Sequence, residues 1–198
     1  MKKIDIVTVH HNSKNLLQSL ELEKALHYYL PNNSFTFTNI SNIEKNRGFA
    51  AGCNLGATYH SNEIIGFLNP DVEVLGDFYQ EVVDTINKGI TITGNRFGKP
   101  SRELSIWKVK DWVCGATFFV ERTFFEQACG FDERYFMYFE ESDLIKRAEM
   151  GGYQVKSKEL PLFHQSPIDD SEEDIKFKTY QFDRSAKLYY KKWSGRRG

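Results

Sequence analysis

Ile4, Ile6, Val7 and Val9 form a short, nearly continuous apolar run that reads as a strand buried on both faces. Asn12 and Ser13 then supply a helix N-cap. Leu16, Leu17, Leu20, Ala25, Leu26 and Tyr29 follow at roughly helical spacing, so this stripe is expected to face the core. Pro31, Asn32 and Asn33 break the helix, and Phe35 and Phe37 alternate as in a second strand. Residues 52–59 read as a helix and residues 64–68 as a third, apolar strand. A helix over residues 77–87 turns Phe78, Val82, Val83 and Ile86 inward, and a strand is expected near residues 90–93. Past the loop at 94–100 the pattern is less regular: strand 117–120, short helix 122–129, helix 141–150 stopped by Gly151 and Gly152, then strand 153–155. Residues 172–193 close as an amphipathic helix carrying Ile175, Tyr180, Phe182, Tyr189 and Tyr190 among many charges, expected to pack on the domain or on a partner.

Alternating strands and helices predict an α/β fold, Rossmann-like, with a mostly parallel central sheet and helices on both faces. One domain over residues 1–170 is expected, followed by the basic amphipathic helix within 171–198, since 198 residues suffice for one such core and not for two. Lys and Arg number 26 against 27 Asp and Glu, a net charge of -1, so no global field would hold nucleic acid, which is excluded as a partner. Cys53, Cys114 and Cys129 are odd in number and widely spaced, which suggests neither a disulfide framework nor a zinc knuckle. No apolar run is long enough to span a bilayer, so the expectation is a cytoplasmic protein, at most peripheral at the inner membrane. Residues 187–197 mix cations with aromatic rings, the composition of a weak docking site for an anionic membrane surface.

In open α/β sheets ligands bind at the carboxyl ends of the strands. His10-His11-Asn12, Asn46-Arg47-Gly48 and Asn69-Pro70-Asp71 all fall there. Asp71 would offer a hard oxygen ligand to a divalent cation bridging a diphosphate, although Asn-Pro-Asp is equally an ordinary turn sequence. Residues 46–56 form a glycine-bearing turn entering a helix. That geometry either brings backbone N–H groups to an anion or lets helix and strand pack closely through Gly52 and Gly56. Glu140, Glu141 and Asp143 set like charges beside aromatic rings, a setting that raises proton affinity and suits a general base, and equally suits a helix N-terminus. His164 ends an apolar strand, either as a ligand or simply hydrogen-bonded.

Several segments then combine. Val7-Thr8-Val9-His10-His11-Asn12-Ser13 makes an opening strand and turn, Asn46 to Asn54 a glycine-bearing segment, and Phe67-Leu68-Asn69-Pro70-Asp71 a form of the Asp-x-Asp motif. Trp112-Val113-Cys114-Gly115-Ala116, Gly130-Phe131-Asp132-Glu133 and Tyr138-Phe139-Glu140-Glu141-Ser142-Asp143-Leu144 follow. In this order they resemble the family-2 glycosyltransferases, in particular the rhamnosyltransferase-like branch acting on bacterial surface polysaccharides, over nearly the whole chain.

The resemblance implies a GT-A fold and inverting transfer from a nucleoside-diphosphate sugar, a deoxythymidine- or uridine-linked one, to a glycan or lipid-linked saccharide. It places the base at Glu141, with Glu140 beside it. His10, His11, Asn12, Asn39, Arg47, Gly48, Asn54, Asn69 and Asp71 would bind the nucleotide sugar. Trp112, Cys114, Gly115 and Asp143 would shape the sugar and acceptor pocket, and Asp71 with His164 would hold Mg2+ or Mn2+. Where the family usually reads Val-Asp-Asn-x-Ser, this chain has Phe37-Thr38-Asn39-Ile40-Ser41-Asn42, so neutral Asn39 or Asn42 would take the place of the Asp that grips base or ribose. A sugar nucleotidyltransferase would need a glycine-rich loop where His10 to Lys14 has none. A non-catalytic nucleotide-sugar or glycan binding module with the same fold is the alternative, told apart by whether the donor is consumed.

Overall fold

The computed structural model describes residues 2–96, 112–164 and 171–194. Residues 97–100 of the loop at 94–100 lie outside the described residues, as do residues 195–197 of the basic C-terminal stretch. The elements are β1 (Ile4–His10), α1 (Ser13–Tyr29), β2 (Phe35–Ser41), α2 (Phe49–Gly56), β3 (Ile64–Leu68), β4 (Val72–Val74), α3 (Tyr79–Asn87) and β5 (Ile90–Gly94). Then come β6 (Thr117–Glu121), α4 (Arg122–Gln127), α5 (Glu140–Met150), β7 (Gln154–Ser157), β8 (Leu162–His164) and α6 (Glu172–Trp193).

Among the described residues six strands form the central sheet, in the order β2-β1-β3-β6-β5-β7. β1 pairs parallel with both β2 and β3, and β5 parallel with β7, while β6 runs antiparallel to β3 and β5. The sheet is thus mostly parallel, as the strand-helix alternation predicts. Period-two alternation divides its side chains between two apolar layers. Ile4, Ile6, Ile64, Leu68 and Phe119 pack under α1 and α3 with Leu22, Leu26, Val82 and Ile86. Val7, Val9, Ile65, Phe67 and Phe118 pack under α2, α4 and α5 with Cys53, Phe124, Leu144 and Ile145. Because β6 opposes β3, Leu68 faces Thr117, and the segment before β6 is delivered to the carboxyl end of β3.

Three local expectations are corrected. In α1 the inward residues are Ser19, Leu22 and Leu26, whereas Leu17, Leu20 and Tyr29 are exposed. The Ser19 hydroxyl donates to the Asn15 carbonyl at 2.8 Å, so a polar residue rides in the buried stripe without an unmade hydrogen bond. α2 begins one turn earlier than expected, at Phe49, directly behind Gly48. In α6, Ile175 and Tyr180 are exposed, and Gln181, Ser185, Ala186, Tyr189 and Trp193 are the buried face. That face closes a third apolar cluster with Tyr135 and Phe139, so Tyr189 and Trp193 are turned away from solvent.

The close-packing reading of Gly52 and Gly56 holds. A Cβ on Gly52 would lie 2.8 Å from Val9, and one on Gly56 would lie 2.3 Å from Val7. Among the described residues no helix is long and apolar enough to cross a membrane.

Candidate functional site

Parallel pairing of β1 with β3 brings His10-His11 and Asn69-Pro70-Asp71 to one edge of the sheet. The Asn69 N–H donates to the Ala116 carbonyl at 3.0 Å, which ties the turn after β3 to the segment entering β6. The chain then makes the short β4, which pairs with β8 in register Val72 to His164. That pairing sets His164 Nε2 3.3 Å from Asp71 Oδ1, with Asn69 Nδ2 3.5 Å from the same nitrogen. At the other wall, α5 starts behind Tyr138 and Phe139, whose φ values of 68° and 70° are left-handed. For residues with a side chain such a conformation costs about 1–3 kcal/mol each and persists only where the surroundings impose it.

These pieces enclose a pocket of about 170 Å³ lined by Phe49, Asn69, Cys114, Gly115, Ala116, Met137, Tyr138, Glu140, Glu141 and His164. Glu140 is buried with Oε2 lacking a hydrogen-bond partner, while Glu141 is half-buried and accepts from the Ser142 hydroxyl at 3.3 Å. Burial raises the proton affinity of both carboxyls, and the Glu141 charge raises that of Glu140 further. Burial also pushes the Cys114 thiol up to about 12, so it is an uncharged wall and not a nucleophile. Gly115 leaves room at the base of the pocket, where an added Cβ would stand 3.5 Å from the Glu141 side chain.

A second, narrower hollow of about 70 Å³ adjoins this pocket through the shared residues Phe49 and Met137, and includes His11, Asn42, Asn46, Phe136 and Phe177. Asn42 is 2 % exposed and donates to the Gly48 carbonyl at 3.0 Å, while its Oδ1 has no partner. Desolvation and the Lys178 ammonium lower the His11 pKa, which keeps the ring neutral at pH 7. Gly48 has φ 89°, and a Cβ there would lie 2.6 Å from the Phe136 carbonyl oxygen that accepts the Phe49 N–H. Gly48→Ala is therefore expected to cost about 1–3 kcal/mol, read as a lower melting temperature, by combining a disfavoured φ with a backbone clash.

The structure thus gathers Asn69, Glu140, Glu141, Cys114, Gly115 and His164 in one pocket, with Asp71 at its rim and His11 in the hollow beside it. Other expected site residues lie elsewhere. Asn54 donates to the Phe131 carbonyl at 2.9 Å and accepts the Phe131 N–H at 2.9 Å, pinning α2 to the Gly130-Phe131 turn. Arg47 is exposed in a separate hollow with Lys45, Thr58 and Glu133. His10 Nδ1 and Asn39 Oδ1 are 2.6 Å apart and satisfy each other across β1 and β2. Asn12 caps α1 by accepting the Asn15 N–H at 2.8 Å, and its Nδ2 stands 3.3 Å from His11 Nε2, so it adjoins the hollow without lining it. Trp112 packs between two apolar clusters. Asp143 is fully buried and faces away from the pocket, paired with Arg147 at 2.9 Å and Lys192 at 2.6 Å. Phe49, inside the Asn46–Asn54 segment but not singled out there, lines both hollows with Met137; Met137 and the α6 residue Phe177 have no motif to announce them, an aromatic ring among the charges of α6 being the one sequence signal for Phe177.

Asp71 and His164 offer one carboxylate oxygen and one imidazole nitrogen side by side. No group of three or more His, Cys, Asp or Glu side chains converges among the described residues. This donor set fits a divalent cation that completes its shell with diphosphate oxygens and water.

The glycosyl transferase family 2 model matches residues 6–146. A search of the curated proteins finds no match. Among solved structures, the chain is similar to the mannosyltransferase PcManGT from Pyrobaculum calidifontis in complex with GDP-Man and Mn2+ (TM-score 0.57, 13 % identity, 79 % of this chain and 55 % of that one). It is similar also to S. aureus TarS 1-349 in complex with UDP (TM-score 0.62, 12 % identity, 83 % and 61 %) and to a further TarS structure (TM-score 0.61, 12 % identity, 83 % and 37 %). The chain therefore spans between 37 % and 61 % of these relatives' lengths, and at such identities the likeness shows the fold, which is GT-A. With that fold, and with a match over residues 6–146 that takes in Asn69, Asp71, Glu140 and Glu141, the chain belongs to glycosyl transferase family 2.

Proposed function

We propose that this chain is an inverting glycosyltransferase that uses Glu141 as the base. The observation that carries the reading is one pocket at the carboxyl edge of the sheet. There a half-buried carboxyl, Glu141, faces Asn69 and His164, with Asp71 adjoining. Glu141 takes the proton of an acceptor hydroxyl as that oxygen forms a bond to the anomeric carbon and the bond to the nucleoside diphosphate breaks. Asp71 and His164 would hold a divalent cation, which when bound neutralises charge on the departing diphosphate. The nucleobase edge would meet the mouth of the narrow hollow between His11, Asn46 and Phe177, with base and ribose lying outside it; at the back of that hollow the buried Asn42 Oδ1 is an unmatched acceptor. The donor is a nucleoside-diphosphate hexose, rhamnose being the choice the resemblance favours, and the acceptor a glycan or lipid-linked saccharide of a bacterial surface polysaccharide. Contact with an anionic membrane would use Lys187 and Lys191 of α6 without the buried rings of Tyr189 and Trp193.

The test is a thermal-shift panel of UDP, GDP, dTDP and their sugars, with and without Mn2+ or Mg2+, on wild type and Asp71→Ala. A metal-dependent stabilisation by one nucleotide that Asp71→Ala abolishes is the expected outcome, about 2.7 kcal/mol at a ligand concentration 100-fold above Kd. Binding with no consumption of any donor, even with saccharide acceptors present, would instead favour the non-catalytic binding module.

A further inference from the structure

α6 lies beyond residues 6–146, the part the family match accounts for. Yet it touches every residue of the strained approach to α5. The Ser185 hydroxyl donates to the Met137 carbonyl at 2.8 Å. The Phe182 ring packs on Tyr138 at 5.7 Å and on Phe139 at 5.2 Å, and Tyr189 packs on Phe139 at 5.4 Å between centroids. One turn into α5, the buried Asp143 Oδ1 accepts from Lys192 Nζ at 2.6 Å and from Trp193 Nε1 at 3.1 Å. Lys192 also bridges to Asp132 at 2.9 Å, on the segment leading into the turn. α5 itself has no capping side chain at its N-cap: Phe139 stands there in left-handed conformation and bonds into the helix through its carbonyl, which accepts the Asp143 N–H at 2.9 Å. The first turn of α5 thus lacks a side-chain N-cap, and the contacts above brace it from α6.

We propose that α6 is a positioning element for the reaction, in which Phe182, Ser185 and Lys192 hold the left-handed Tyr138-Phe139 turn and the first turn of α5 so that Glu141 faces the pocket. This rests on the reading of Glu141 as the base. None of the three touches the reacting atoms on that reading; they act through the Met137 carbonyl, the turn and Asp143. Lys192 can be removed without leaving Asp143 uncompensated, because Arg147 Nε remains 2.9 Å away. Loss of Lys192 should accordingly loosen the start of α5 without unfolding the chain.

The experiment uses the full chain as wild type, Lys192→Met, Lys192→Arg and Ser185→Ala. Amide hydrogen exchange at Glu140 to Asp143 is followed with the amides of α3 as internal reference. Release of nucleoside diphosphate from UDP-glucose, GDP-mannose and dTDP-rhamnose, each with saccharide acceptors present, is followed in parallel, with nucleotide Kd from thermal shift. Lys192→Met and Ser185→Ala should speed exchange at those amides by about tenfold or more while α3 is unchanged. They should lower kcat by about 10- to 100-fold with Kd within about twofold, the size expected when a reacting group is displaced by a fraction of an ångström. Lys192→Arg should restore most of both. Unchanged exchange at Glu140 to Asp143, a parallel change in kcat and Kd, or an Arg variant no better than Met would overturn the proposal. A wild type that consumes none of the three donors would count against the transferase reading instead, and exchange alone would then decide whether α6 holds the turn.

Discussion

Glu141→Gln is expected to lower sugar transfer by about 10²- to 10⁴-fold, the range for losing a positioned general base, while the nucleotide-induced thermal shift stays as in wild type. Glutamine keeps the shape and the acceptor oxygen that the Ser142 hydroxyl reaches, so what is lost is the capacity to take a proton. Glu140→Gln should behave differently. Glu140 is the more buried of the pair, and both burial and the neighbouring Glu141 carboxylate hold its proton on. Replacing it with a neutral amide is expected to preserve most of the activity and to change the pH response of stability. Both carboxyls have pKa values raised above the ordinary 4.5, so between 4.5 and the raised values the native state binds more protons than the unfolded chain. Stability contributed by these groups is therefore present at low pH and lost as pH rises through that window. Urea midpoints measured at about pH 5 and about pH 8 should fall with rising pH in wild type and fall less in Glu140→Gln. Activity runs in the opposite direction, rising as Glu141 loses its proton. A Glu141→Gln enzyme with wild-type turnover would remove this residue from the mechanism.

The largest loss of stability is expected from Arg122→Ala, about 3–5 kcal/mol by urea unfolding, the usual cost of leaving a buried charge without its partner. Asp5 is the second residue of the fully buried β1, 2 % exposed, and its Oδ2 lies 2.6 Å from Arg122 Nη2. The same guanidinium donates to the carbonyls of Asn62 at 2.6 Å and Ala57 at 3.0 Å, so one side chain at the start of α4 clips β1, the end of α2 and the approach to β3 together. Replacing both charges, as Asp5→Leu with Arg122→Met, should recover much of the loss, since no isolated buried carboxylate then remains. Additive losses in the double variant would show that the pair is not coupled.

Much of this architecture was legible because the signals were local. The buried strands β1 and β3 are dense apolar runs, and α3 shows Phe78, Val82, Val83 and Ile86 at clean helical spacing, all of them buried. The face of α1 was not legible because its leucines are spread around the helix, and a serine and two leucines, not the longest apolar stripe, point inward. β4 and β8 are three residues each, too short for alternation to show, and they exist through pairing with each other. In the site, motif order gave Asn69, Gly115, Glu140 and Glu141, and the end of an apolar strand gave His164, all of which the pocket gathers. Motif order could not give the orientation of Asn54, decided by its distant partner Phe131. Asp143 is a different case. Two residues after Glu141 on a helix it lies about 200° further round the axis, so a pocket-facing Glu141 already turns Asp143 to the opposite side.

The pairing of β4 with β8 also bears on when the site comes into being. Asn69 and His164 meet across 95 positions of sequence, and the contact depends on two three-residue strands with few hydrogen bonds to offset the closure of so long a loop. Long-range pairings of this kind form late in folding, after the local strand-helix units. During synthesis, the sheet from β1 to β6 emerges first, and the rim where Asp71 meets His164 is completed only once Leu162 to His164 has left the ribosome. A nascent chain halted shortly before Leu162 would carry the half of the rim contributed by β4 and lack its partner.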